Sequence, residues 1–384
     1  MAALLAGALC SNAQAISVSI TGPEEIIYDY STQACDAIDN ADGTANAFRD
    51  GLGRLQIIMS QPFNRRLIGT NFNNLTHDCS ISMGSDQSPF PWDFNDAEWV
   101  ASTWAQADGD VYGLVHSEYH GLSHPGWCPG GVFIKCRYNT VTLAKSTNNG
   151  DTFTQAPAPN HLVAAFPYPY FPDQPGRYGI FSPSNLFEKG GYLYTFLLLT
   201  SGFKEQAPGA CLMRTREQDL DDPHSWRAWD GTGFNSRFIN PYLDSPEPIR
   251  RHICQPVDPD KIGTMQRSIV FNTQLNKYIL VGVSAKFDSV RGEDVTGFYY
   301  STSDDLIHWT EKQLMMEVET QQSHLCGDPD VRVYPSLIDH DSPSRNFETI
   351  DNTTYLYYTV WHYTPQCTAG NDRDMARIPI QFSP

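Results

Sequence analysis

Charge is scarce in this 384-residue chain and leans acidic: 18% of residues are charged, with 26 Lys+Arg against 44 Asp+Glu and a formal net charge of −18. No basic block concentrates positive charge, which argues against nucleic acid or an anionic membrane surface as partner, because phosphates are held by a clustered Lys/Arg face. Long apolar runs are missing as well. After the first residues nothing reaches the roughly 18 uninterrupted apolar residues of a membrane span, so no membrane span is expected. A C-x-x-C pair, a Walker-type or dinucleotide glycine loop and a G-x-S-x-G elbow are all absent. Their absence speaks against zinc held by paired cysteines, phosphate chemistry and a serine nucleophile.

What is present begins with an apolar run from Met1 to Cys10 that ends at Ala13-Gln14-Ala15, an A-x-A site. This is the pattern of a secretory leader with a shortened basic region, so residues 1–15 are expected to be removed before Ile16 and residues 16–384 to form the folded domain, secreted or periplasmic. Removing Cys10 leaves eight cysteines, Cys35, Cys79, Cys128, Cys136, Cys211, Cys254, Cys326 and Cys367. An even number in an exported chain predicts disulfides, with Cys128 and Cys136 as the most economical local pair.

Apolar helical periodicity is hard to find, whereas short alternating or aromatic-rich runs bounded by Gly, Asn, Asp and Pro recur throughout, so the chain reads as all-β. Expected strands are Leu55–Ser60, Trp99–Trp104, Val111–Glu118, Thr140–Lys145, Tyr192–Leu199, Ala210–Thr215, Ser268–Asn272, Tyr278–Ser284, Gly297–Thr302, Tyr334–Ile338 and Thr354–Trp361. They group into units opening near Ala47, Glu98, Ser182, Gln266 and Tyr334. Five units of three or four strands predict a single five-bladed β-propeller. Its last blade needs a closing strand, from Ala376–Phe382 or from the segment after Ile16.

Three turns share a pattern. Ser146-Thr-Asn-Asn-Gly-Asp-Thr-Phe153 resembles the S-x-D-x-G-x-T-W turn of sialidase-type propellers, with Asn148 and Phe153 in the Asp and Trp places. Ser301-Thr-Ser-Asp-Asp-Leu-Ile-His-Trp309 is similar to the S-x-D-L-x-x-W blade edge of five-bladed glycosidases, and the segment from Arg214 through Asp219 to Trp226 resembles it with a longer turn. The polar side chain caps turn amides while the aromatic packs between blades. On these motifs the chain resembles the five-bladed propeller glycoside hydrolases of the arabinanase, xylosidase and fructosidase superfamily. The resemblance implies carboxylates from the inner ends of the first blades around a central funnel, and a poly- or oligosaccharide substrate.

Hydrolysing a glycoside takes one carboxylic acid and one carboxylate. Asp50, in Ala47-Phe-Arg-Asp50, resembles the superfamily's R-D-P start, whose Asp is the general base, although Gly51 stands in the Pro place. Read from the residues alone, Arg49 and Asp50 equally suit a solvated turn. His116, Glu118 and His120 alternate along one strand and share a face, with Ser117 and Tyr119 on the other. Glu118 between two imidazoles suits an acid or base, or the three chelate a divalent metal, or they form a hydrogen-bonded strand end. No cofactor is implied beyond that metal alternative. Asn185 opens the third unit at a funnel-facing position, where the superfamily usually has its acid and this chain has no carboxylate. Arg267 and Arg332 are candidates for binding an acidic sugar by forked hydrogen bonds, or for pairing with Asp328 or Asp330. Trp92, Trp127, Tyr168, Tyr170 and Trp361 are candidates for sugar stacking or for packing between blades.

Three readings follow. The first is a glycoside hydrolase using Asp50 as base or nucleophile and Glu118 as acid, with His116 and His120 tuning or binding, and Arg49, Tyr119, Asn185, Arg267 and Arg332 on the substrate. The second is a polysaccharide lyase acting on a uronate through His, Tyr and Arg or a metal. The third is a glycan-binding propeller without catalysis.

Overall fold

Strand follows strand in antiparallel hairpins, because stretches such as Tyr192–Thr200 carry apolar side chains on both faces. Leu193, Leu197 and Leu199 pack on one side of that strand, and Tyr194 and Phe196 on the other, each group joining a different core cluster. A strand covered on both faces must lie between two sheets, and burying each large apolar side chain contributes about 1.5–3 kcal/mol. The computed structural model describes residues 16–59, 62–200, 205–327, 330–364 and 366–384. The expected leader over 1–15 lies outside them, as do Ser60, the last residue of the first expected strand, and Asp328.

The strands form a five-bladed β-propeller. The first blade runs through Asn46–Arg49, Leu55–Met59, Phe63–Gly69 and Thr76–Gly84, and the second through Ala97–Ala105, Val111–His120 and Arg137–Ser146. In the third, Tyr178–Phe181 and Phe187–Lys189 share the innermost position against Tyr192–Thr200, and Gly209–Arg216 follows. The fourth comprises Ser268–Asn272, Lys277–Asp288, Glu293–Ser303 and Gln313–Glu317. The fifth comprises Asp330–Ile338, Thr353–Tyr363 and Ala369–Ser383. Both expected closing segments are used: Ser17–Ile20 and Glu25–Tyr28 pair antiparallel with Ala369–Ser383, so the two ends of the chain share one sheet.

Neighbouring blades are also stitched by polar side chains. Asn46 Nδ2 donates to Ala101 O at 2.6 Å, and Asn139 Nδ2 to Tyr178 O at 2.8 Å. Asn185 accepts from Ile269 N at 2.9 Å and donates to Ile269 O at 2.8 Å. Gly179, with φ +114°, lies against the Asn139 backbone where a Cβ would collide, which lets the second and third blades touch through a short parallel bridge. The eight cysteines form four disulfides, Cys35–Cys79, Cys128–Cys136, Cys211–Cys254 and Cys326–Cys367.

All three motif turns cap themselves with side chains. Asn148 Oδ1 accepts from Thr152 N at 2.9 Å, while buried Phe153 packs against the first blade's Phe48 cluster. Asp305 Oδ1 accepts from Ile307 N and His308 N at 2.9 and 2.8 Å, and Trp309 meets Phe196 of the third blade edge-on at 5.9 Å. In the longer turn the cap is Asp222, which accepts from His224 N at 2.9 Å, rather than Asp219, because Pro223 starts a new short turn there. Asp305→Ala should therefore lower stability in urea by about 1–2 kcal/mol by orphaning turn amides. Its neighbour Asp304 is exposed and pairs with Lys277 at 2.6 Å, and Asp304→Ala should cost under about 1 kcal/mol.

Candidate active site in the central funnel

The innermost strands begin at one face of the ring and run toward the other, so residues just before them, and those ending the second strands, converge on a funnel. A cavity of roughly 320 Å³ opens there, lined from all five blades. Asp42 enters from the turn before the first blade, and Trp99, His116, Glu118 and Arg137 come from the second. Arg177 and Phe181 come from the third, Arg267 from the fourth, and Tyr334, Trp361 and Arg373 from the fifth.

Glu118 is the most heavily bonded group. Its Oε1 accepts from His116 Nε2 at 2.9 Å, and its Oε2 from His120 Nε2 at 2.8 Å and from Arg137 Nη2. Ser182 N donates to His116 Nδ1 at 3.1 Å, which places the imidazole proton on Nε2 and fixes the tautomer. Burial holds His116 below its usual range against the pull of Glu118, so the ring is neutral. Burial also opposes ionisation of Glu118, but the Arg137 charge and the two imidazole donors more than offset it and hold the carboxyl well below the usual range. Glu118 is ionised, with one acceptor position left on Oε1.

Asp42 sits in the opposite surroundings. Its carboxylate pairs with Arg373 and accepts from Tyr334 Oη at 3.1 Å. Burial nevertheless pushes its carboxyl up, with the like charge of Glu118 adding to the effect, against Arg373 and the hydrogen bonds from Tyr334 and Trp99. Tyr334 is aimed by its backbone: it sits at φ +57° where the register of the fifth blade's first strand shifts, a left-handed conformation that a tyrosine rarely adopts.

Of the residues singled out in the sequence, His116, Glu118, Arg267 and Trp361 line this cavity, and His120 reaches it through Glu118. Asp50 lies elsewhere. It closes the hairpin at the far end of its strand, fully buried, with its carboxylate on Leu52 N, Arg54 N, Arg54 Nε and Gln56 Nε2. Arg49 stacks on Phe347 at 4.7 Å, and Tyr119 is buried with its hydroxyl on Pro89 O at 2.8 Å, on the strand face opposite Glu118. Asn185 is spent on Ile269 as above, and Arg332 pairs with Glu24 at 3.3 Å instead of facing the funnel. Tyr168 and Tyr170 are buried in the core between the second and third blades, while Trp92 and Trp127 meet each other edge-on at 5.8 Å.

The chelate alternative at His116, Glu118 and His120 does not fit the donor set, since both His116 nitrogens are committed and Glu118 stands between the rings as acceptor for each. Among the described residues, metal-type ligand atoms come within 4.8 Å of one another at Cys35, His77 and Cys79, whose sulfurs are bridged to each other, and at His362, Asp372 and Asp374.

The funnel residues that sequence reading missed are Asp42, Arg137, Arg177, Tyr334 as an acid partner, and Arg373. Asp42 carries a signal in retrospect, a carboxylate followed by Gly43 immediately before the first innermost strand. Arg137→Gln would leave Glu118 buried with only its two imidazole donors. It should lower stability by up to about 3 kcal/mol in urea, and that loss should shrink in a Glu118→Gln background.

No family model matches the sequence, and no curated protein sequence matches it either. Solved structures do resemble its fold. A sucrose-6-phosphate hydrolase from Lactobacillus gasseri superposes with a TM-score of 0.50 at 11% identity, over 92% of this chain and 60% of that one. An alpha-L-arabinofuranosidase from Lactobacillus brevis gives 0.49 at 12% identity, over 91% and 94% of the two chains. A xylan beta-1,4-xylosidase from Bacillus halodurans C-125 gives 0.48 at 11% identity over 90% of this chain, which spans about half, 54%, of that protein's length. At these identities the likeness is one of fold, the five-bladed ring.

Proposed function

We propose that the protein is a glycoside hydrolase that works outside the cytosol on a poly- or oligosaccharide held in the central funnel. One observation carries this reading: two carboxylates face the same cavity in surroundings that push their proton affinities apart, the arrangement by which acid and base roles are divided. The fold shared with several glycosidases supports it, and the four disulfides suit an oxidising compartment.

In this reading Glu118 takes the base role rather than the acid role expected from sequence, and Asp42 replaces Asp50 as the second carboxylate. Glu118, held ionised by Arg137, does not keep a proton to give away, so Asp42 is the acid and protonates the leaving glycosidic oxygen as its bond to the anomeric carbon breaks. Positive charge building on that carbon faces the fixed negative charge of Glu118. Water adds there and passes its proton to the free position on Glu118 Oε1. Asp50 has no part in this scheme, since its oxygens are saturated by its own hairpin.

Sugar release from an oligosaccharide panel, followed by mass spectrometry, tests the assignment. Asp42→Asn and Glu118→Gln should each lower kcat/KM by roughly 10²–10⁴-fold on whichever substrate the parent cleaves, whereas Asp50→Asn should act on stability. Unsaturated ends in place of water-added products would overturn hydrolysis. The pH profile gives a second check. The acid works protonated, so activity falls as pH rises through the Asp42 pKa. Tyr334→Phe removes a hydrogen bond that favours the ionised form, and should move that alkaline limb upward by roughly half to one pH unit.

A further inference from the structure

The funnel holds two carboxylates against four guanidinium groups, in a chain whose formal net charge is −18. Two of the four are spoken for: Arg137 is paired with Glu118, and Arg373 with Asp42 while lying on the Trp361 ring at 4.0 Å. Arg177 and Arg267 differ. Among the described residues neither has a carboxylate within ion-pair distance, and each lies over an aromatic ring, Arg177 on Phe181 at 5.0 Å and Arg267 on Tyr334 at 4.7 Å. An aromatic face orients a guanidinium plane while leaving its N–H edge free. Burial and the neighbouring positive charge of Arg177 both hold Arg267 below its ordinary range, so the pair repel each other as they stand.

Their position relative to the reacting groups is informative. The ring under Arg267 is the one whose hydroxyl reaches Asp42, and the ring under Arg177 lies 5.0 Å from that of His116, the donor to Glu118. Arg267 is thus one aromatic ring away from Asp42, and Arg177 is two rings, Phe181 and His116, away from Glu118, the carboxylates of the proposed acid and base pair. Two unpaired positive forks at the reacting position are costly to keep in a partly desolvated cavity unless an anion arrives with the substrate.

We propose that Arg177 and Arg267 form an anion-reading subsite and that the sugar bound beside Asp42 and Glu118 carries an acidic substituent, a planar uronate carboxylate being the group two guanidinium forks match best. This rests on the reading of the funnel as a sugar-binding site. It also makes sense of the third blade, which brings Arg177 to the funnel and no acid. A neutral pentose or hexose would leave both forks unsatisfied.

Binding in the absence of turnover tests this separately from hydrolysis. Titration calorimetry of the Asp42→Asn protein against oligouronides, the same oligomers with carboxyl groups reduced to alcohols, and sulfated neutral oligomers should show the uronide bound at least about tenfold more tightly than its reduced counterpart, which has lost the charge-assisted hydrogen bonds. Arg267→Gln and Arg177→Gln should each erase most of that preference while leaving the affinity for the reduced oligomer unchanged. Arg267→Lys, which keeps charge but loses the fork, should retain part of it, and thermal melts identify any variant that has lost its fold. Arg332→Gln, outside the funnel, should change nothing. Tighter binding of the sulfated oligomer than of the uronide would reassign the subsite to sulfate and overturn the carboxylate. Equal affinity for charged and reduced oligomers, or a preference that survives loss of both arginines, would overturn the inference altogether. Arginine-dependent uronide binding by a parent protein that releases no product would instead leave the subsite standing and remove the hydrolase.

Discussion

Everything at the funnel depends on a ring closed by strands from opposite ends of the chain. Ser17 faces Ser383 across the last sheet and Glu25 faces Arg377, with the Arg377 guanidinium then reaching Glu25 and the Phe72 carbonyl of the first blade. A propeller leaves no long strand edge unpaired only when such a seam is made. Because the seam lies in the fifth blade, it fixes where Trp361 and Arg373 stand, and Arg373 in turn meets Asp42. Asp42 is therefore held by a residue of the closing sheet, and the geometry of the funnel is inseparable from closure.

Within the ring, arginine sorts the carboxylates. Arg137 and two imidazoles commit Glu118 to its charge, while Asp42 is left in a buried position where burial outweighs its partners. The same residue type does structural work away from the funnel: Arg65 and Arg66, buried in the first blade, pair with Asp36, Asp78 and Asp151. In each the guanidinium is buried while the carboxylate reaches the surface, so the acid's main effect is to leave no arginine charge uncompensated inside the blade.

That use of arginine also explains what sequence reading reached and what it missed. The eleven strands expected from apolar alternation are all present, and both closing segments are used, because the blades' middle strands are buried on two faces and show it in their residues. Phe63–Gly69 was not visible, since its buried positions include Asn64, Arg65 and Arg66, which read as solvated. In the site, Glu118 and His116 were legible because ionisable groups on alternate positions of one strand are rarely core. Asp42 was not, because the resemblance drew attention to the carboxylate at the end of the first innermost strand, whereas the funnel lies at its start. Arg177 and Arg373 lie in segments without a distinctive pattern and are brought to the site only by the ring.

Two of the four disulfides flank the mouth of the funnel. Cys128–Cys136 closes the loop immediately before Arg137 and holds Phe133 against that arginine at 5.0 Å, and Cys326–Cys367 ties down the segment that brings Gln321 and Gln322 to the rim. Loops fastened in this way have surrendered their conformational freedom before any ligand arrives, so binding does not spend free energy on ordering them. The same fastening limits adaptation: with its rim pinned on two sides, the funnel admits what its resting width already accommodates and has little freedom to widen around anything broader.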